Sequence, residues 1–169
     1  YYAVTGLLAR VCLYAGQREN AFNYSTEVIK ASNNGIFPFV DRSLVNGTAQ
    51  DPDRIFSPEV LFALSDSQRG ELFEEYFDPS LAPNMVFRME TDLLEQTIYG
   101  GTGTGGNLDD YRCRSNWISS GSARYFYKYS DMTESGRIEN TMIPLLRLGE
   151  MYLIAAESQS NSLANGVSY

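Results

Sequence analysis

Met142-Ile-Pro-Leu-Leu-Arg-Leu-Gly-Glu-Met-Tyr-Leu-Ile-Ala-Ala-Glu157 is the stretch from which the architecture is first read. Pro144 stands where a helix accepts proline, in a first turn whose N–H groups lack intrahelical partners anyway. Turned at about 100° per residue, the segment places Leu145, Leu146, Leu148, Met151, Tyr152, Leu153, Ala155 and Ala156 on one wide arc. Arg147, Glu150 and Glu157 form a narrow polar stripe, with Ile154 among them. An ordinary surface helix shows an apolar face of about 100°, so neighbours are expected on more than one side of this one. A bilayer span takes about 20 mostly apolar residues, and this segment is too short and too charged. The expectation is a core helix over 142–160, with Glu150 and Glu157 pairing with arginines such as Arg147.

Outward from that helix, residues 2–15 carry Val4, Leu7, Leu8, Val11 and Ala15 at helical spacing, and Gly16 is a natural stop. A second helix runs from about Arg18 to Ala31 with Ala21, Ser25, Val28 and Ile29 as its inner face; Asn33-Asn34-Gly35 ends it. So short a turn makes the two helices antiparallel. Leu8, Ala9, Gly16 and Ala21 fit part of a tetratricopeptide pattern, although Ser25 stands where an aromatic is expected.

The middle of the chain reads as irregular. Residues 36–58 look like loop, with Asn46-Gly47 and Asp51-Pro52 as turn signals. Glu59-Val-Leu-Phe-Ala-Leu64 reads as a brief extended stretch, and residues 66–84 as an acidic, aromatic surface excursion. Thr91 is placed to cap a helix running to Tyr99, and the glycine-rich run Gly100–Gly106 reads as a mobile tip. Arg124-Tyr-Phe-Tyr-Lys-Tyr129 alternates as a strand does, with Tyr125, Tyr127 and Tyr129 on one face.

The fold class expected is mainly α: a tetratricopeptide-like helical scaffold with long irregular loops and minor short strands. One domain covers 1–169, with a helical hairpin over 1–32, a loop-rich insertion with short strands over 36–140, and the core helix over 142–160.

Composition narrows the chemistry. A net charge of −8 in 169 residues argues against nucleic acid, whose phosphates need a basic face, and no basic run suits anionic lipid. The absence of histidine removes Ser-His-Asp and Cys-His catalysis and nearly all zinc sites. Cys12 and Cys113 read as buried free thiols rather than a disulfide. Gly101-x-Gly-x-x-Gly106 fits a dinucleotide fingerprint in form only, because it follows a helical stretch rather than a strand. Glu71, Glu74, Glu75, Asp109 and Asp110 are acids that glycoside hydrolysis could use, but acids adjacent on a loop are read as solvated. No catalytic residue, metal or cofactor is expected.

The segment Ile143–Glu157 resembles the Pro-Leu-Leu-Arg-Leu-Ala-Glu-(apolar)-Tyr-Leu-(two residues)-Ala-Glu signature of the SusD/RagB family, with Gly149 where alanine is usual. Leu7-Leu-Ala-Arg-Val-Cys-Leu-Tyr-Ala-Gly16 resembles a second family segment, and Asp109-Asp-Tyr-Arg112 its Asp-x-Arg motif. That family comprises outer-membrane lipoproteins of the Bacteroidetes that capture nutrients. The resemblance implies a non-catalytic, cell-surface protein that holds an oligosaccharide over a TonB-dependent (SusC-like) transporter. It also implies an internal fragment of a longer protein, with membrane association only through a lipid anchor outside this stretch. A peptide- or protein-binding interaction module is the alternative, and a hydrolase a third reading.

The family's loops do not align, so the ligand-binding candidates rest on residue chemistry. A pyranose needs a flat apolar surface and side chains that share hydrogen bonds with hydroxyls, and aromatic residues with polar edges supply both. Trp117, alone of its kind in the chain and set in the polar run Arg114-Ser-Asn-Trp-Ile, is the first candidate. Tyr111, Asn116, Arg114 and Tyr99 complete the set.

Overall fold

The computed structural model describes residues 1–45, 52–90, 110–121, 123–132 and 136–159. In chain order the helices are α1 (Tyr2–Tyr14), α2 (Arg18–Asn33), α3 (Arg42–Val45), α4 (Arg69–Tyr76), α5 (Tyr111–Ser115) and α6 (Leu148–Ser158). The strands are β1 (Val60–Ser65), β2 (Arg88–Glu90), β3 (Trp117–Ser120), β4 (Ala123–Phe126) and β5 (Met142–Arg147).

The 142–160 core helix needs correcting first. Its first part is the strand β5, and helix begins only at Leu148. Pro144 is therefore a strand residue. Proline disfavours the α region for the residue before it, here the β-branched Ile143. β1 supplies the distant partner, in a two-stranded antiparallel sheet. Both strands of such a sheet are edges, where a missing N–H is tolerated. Burial alternates as a strand requires: Leu146 is 3% exposed and Leu145 43%. On α6 the buried residues are Leu148, Met151, Ile154, Ala155 and Ser158. Ile154, placed with the polar stripe above, lies inside, while Leu153 is 71% exposed. The arc fails because it treats strand and helix as one periodic segment.

Among the described residues 48% are helical and 18% lie in strands, with six helices and two antiparallel sheets. The fold is mixed α/β, which overturns the mainly α, tetratricopeptide-like scaffold expected above. Non-local strand pairing, invisible to a helical repeat pattern, accounts for the difference.

The chain forms two compact units, the first comprising Tyr1–Val40, Phe56–Leu64 and Ile143–Tyr169. In it α6 packs on α2 and α1, and α1 on α2. The four inner-face residues of α2, Ala21, Ser25, Val28 and Ile29, are all buried. Ser25 satisfies its hydroxyl on the Phe22 carbonyl at 3.0 Å, which lets a serine sit in a core. Both helices end in a glycine of positive φ, Gly16 at 73° and Gly35 at 82°. Gln17 N–H donates to the Cys12 carbonyl at 2.8 Å and Ile36 N–H to that of Ala31 at 3.1 Å, the Schellman closure.

On α1 the buried residues are Thr5, Gly6, Ala9 and Cys12, whereas Val4, Leu7, Leu8 and Val11 are exposed. Close approach decides this. A Cβ on Gly6 would meet Leu146 Cδ2 at 2.9 Å and Met151 Sδ at 3.2 Å, so only a hydrogen lets α1 settle on that core. Glu150, expected beside Arg147, instead accepts from Arg10 Nε at 2.6 Å and Nη2 at 2.7 Å. Arg147 lies over the Phe56 ring.

Gly149, in the first turn of α6, has open space where a Cβ would sit. Gly149→Ala is expected to raise stability by about 0.5–1 kcal/mol, because alanine loses less backbone freedom on folding. The readout is a higher urea midpoint at unchanged slope; a lower midpoint contradicts it.

The second unit comprises Asp41–Ile55 and Ser65–Met142. Its sheet has the order β2-β4-β3, antiparallel throughout, with Trp117 opposite Phe126 and Arg88 opposite Tyr125. The stretch 66–84, read as irregular, contains the helix α4. Arg69 and Phe73, four residues apart on one helical face, are its buried pair, and the Phe73 ring meets that of Tyr127 at 4.8 Å. The run of acids that suggested a loop, Glu71, Glu74 and Glu75, is the exposed side of this helix. Cys12 and Cys113 are both buried thiols, not joined in a disulfide. The helix expected from Thr91 to Tyr99 and the Gly100–Gly106 run lie outside the described residues.

Candidate functional site

The sheet of the second unit carries an open hollow of about 360 Å³ lined by Phe77, Phe87, Arg88, Met89, Trp117 and Phe126. Its size falls within the roughly 300–1,000 Å³ of small-ligand sites, which are mostly apolar with a few polar groups. Two neighbouring strands supply its centre. The register that sets Trp117 opposite Phe126 holds their rings 5.1 Å apart. Phe77, just past the end of α4, meets Phe126 at 5.7 Å and Phe87 at 6.0 Å. Phe87 is fixed through its backbone, its N–H donating to the Tyr76 carbonyl at 2.8 Å, while its residue surface stays 65% exposed. The result is a set of tilted aromatic rings, several of them accessible, beside the edge strand β2.

Of the five candidates named from the sequence, Trp117 lines this hollow and is half-buried. Asn116 is buried and caps the end of α5. Its Oδ1 accepts from Ser115 Oγ at 3.1 Å, and its carbonyl accepts from Tyr127 N–H at 2.8 Å, so it supports the start of β3. Tyr111 sits at the other end of α5, with the Arg42 guanidinium 5.8 Å from its ring centre, and does not line the hollow. Arg114 belongs to α5, and its side chain lies outside the described residues, as does Tyr99 altogether.

Sequence reasoning missed Phe77, Phe87, Arg88, Met89 and Phe126. A faint signal was present in Tyr76-Phe77 and Phe87, aromatics flanking a proline-bearing loop.

Of the acids weighed for catalysis, Asp109 lies outside the described residues and the others do not line the hollow. Glu71, Glu74 and Glu75 are exposed on α4. Asp110 caps α5, accepting from Arg112 N–H at 2.9 Å, and the side-chain hydrogen bond from Arg112 holds its carboxyl below the ordinary range. Among the described residues no group of three or more His, Cys, Asp or Glu side chains is placed to hold a metal ion, and no helix is long and apolar enough to cross a membrane.

A second, water-sized pocket of about 10 Å³ is lined by Asp53, Arg54, Arg69, Lys128 and Glu139, among others. Its centre is structural. Arg69, 2% exposed, donates from Nη1 to the Glu139 carbonyl at 2.5 Å and to the Met142 carbonyl at 3.2 Å. Burial lowers its pKa, opposed by a long ion pair to Asp131 at 3.4 Å.

Comparison with protein-family models, with curated proteins and with solved structures finds no match to this chain.

Proposed function

We propose that this chain is a non-catalytic binding module that captures an oligosaccharide at the bacterial cell surface. In this reading it is of the SusD/RagB kind, lipid-anchored to the outer membrane, and hands its ligand to a TonB-dependent transporter. The resemblance of Ile143–Glu157 and Leu7–Gly16 to that family supports the class. The observation that carries the binding reading is the aromatic hollow around Trp117 and Phe126. Partly exposed flat rings offer stacking surface to the C–H face of a pyranose.

The experiment is a glycan array followed by calorimetric titration of the best ligand. Trp117→Ala is expected to weaken binding by about 1–3 kcal/mol, the cost of truncating an aromatic anchor. The fold should lose the cross-strand contact with Phe126, about 0.2–1 kcal/mol, and remain folded. Equal affinities for the two proteins would remove Trp117 from the site, and an array without signal would remove the glycan reading.

The alternative, a peptide- or protein-binding module, is favoured by one observation: the outward stripe of Val4, Leu7, Leu8 and Val11 along α1. Apolar side chains at that spacing suit a partner helix. Pull-down of a defined amphipathic helical peptide by the parent protein but not by Leu7→Glu would support it.

A further inference from the structure

We infer that the ligand of the aromatic hollow is anionic: a glycan bearing a carboxylate or sulfate, with Arg88 as the group that selects it. The inference rests on the oligosaccharide reading above and adds its charge. Among the described residues Arg88 is the one charged residue lining the hollow, and no described acid lines it. Other arginines are held in ion pairs, Arg10 with Glu150, Arg69 with Asp131, Arg112 with Asp110 and Arg137 with Glu139. Arg88 is exposed and pairs with no acid among the described residues. In a chain of 21 acids and 13 basic residues, this guanidinium at an aromatic hollow has no acid partner among the described residues.

Strand position sets its role. β2 is the edge of the sheet order β2-β4-β3, so among the described residues no strand lies outside Arg88. Regular alternation sends Arg88 and Met89 to opposite faces, which makes Met89 part of the apolar surface and Arg88 a rim group whose long side chain can reach over the edge. Planar guanidinium donors match carboxylate and sulfate oxygens in pairs. The net charge of −8 does not prevent this, because screening over about 8 Å at physiological salt leaves the nearest cation to dominate. Rings would take the sugar's apolar face while Arg88 takes its acid.

The test uses the chain as it stands and a panel of probes: oligogalacturonate, oligomannuronate and a heparan sulfate fragment, each beside its carboxyl-reduced or desulfated form. Calorimetry is expected to show at least one acidic probe binding about tenfold or more tightly than its neutral counterpart, as a hydrogen bond to a charged group implies. That preference should shrink as sodium chloride rises. Arg88→Gln should erase the preference while leaving the melting temperature unchanged, and Arg88→Lys should keep part of it. The uronate and sulfated arms decide which anion is read. Equal affinity of every acidic and neutral pair, with binding still lost in Trp117→Ala, overturns the charge inference and leaves the glycan reading standing. Retention of the preference in Arg88→Gln overturns Arg88 as its source. Failure of every probe, acidic or neutral, overturns both readings together.

Discussion

Leu148→Asp is expected to unfold the first unit. Leu148 is fully buried at the first position of α6, within the cluster that includes Ala9, Val28, Leu146, Met151 and Ala155. A carboxylate there has no hydrogen-bonding partner in that apolar cluster. Burying it costs several kcal/mol, either as an unpaired charge or as a shifted, protonated acid. Folded domains hold only about 5–15 kcal/mol in reserve. The measurement is far-ultraviolet circular dichroism through a thermal or urea transition. Leu145→Asp is the matched control, because Leu145 faces outward on β5 and should tolerate the charge with a shift of a few degrees. A helix running from residue 144 would place both leucines on one apolar arc and make both variants severe. Equal damage from the two variants would restore that continuous helix, and a mild Leu148→Asp would remove residue 148 from the core.

Arg69→Leu is expected to be the most damaging single change in the second unit. It removes the donor to the carbonyls of Glu139 and Met142, and the longer contact to that of Ser130 at 3.5 Å. The guanidinium also lies 5.7 Å from the Tyr129 ring centre. Each buried acceptor left without a partner costs about 1–3 kcal/mol, giving a loss on the order of 3–5 kcal/mol. For a chain of this size that is roughly 10 °C of melting temperature. Asp131→Asn should cost less than about 1 kcal/mol, because the Asp131 side chain is 57% exposed and the pair is screened by water. The contrast identifies what Arg69 does: it gathers backbone carbonyls of the 130–142 segment, and the ion pair is secondary. Comparable losses in the two variants would reverse that assignment.

The candidate site was legible in the sequence only through Trp117, and for a chemical reason: a single large aromatic in a polar run stands out in any order of reading. Its neighbours did not. Phe77 and Phe87 reach Trp117 and Phe126 only because α4 ends where it does and because β2 pairs with β4. Asn116 and Tyr111 were chosen for proximity in sequence. A residue next to Trp117 in the chain is not thereby next to it in the hollow, and Asn116 turns inward as the cap of α5.

What the sequence by itself determined is local. Gly16 and Gly35 end α1 and α2 because a helix closed by a Schellman turn needs a residue at positive φ, and glycine adopts it without a Cβ clash. The inner face of α2 follows from spacing along a single helix. Tertiary structure alone decided where β5 gives way to α6. The apolar run 142–157 satisfies a helical pattern over its whole length, yet β1, about 80 residues earlier in the chain, supplies the hydrogen bonds that make its first six residues a strand. It also decided which side of α1 is buried, since Gly6 and Ala9 allow an approach that Leu7 and Leu8 would block. Helical patterns are written in neighbouring residues, whereas strand pairing and close packing are set by partners remote in sequence, and there the energy of the assembled core overrides local preference.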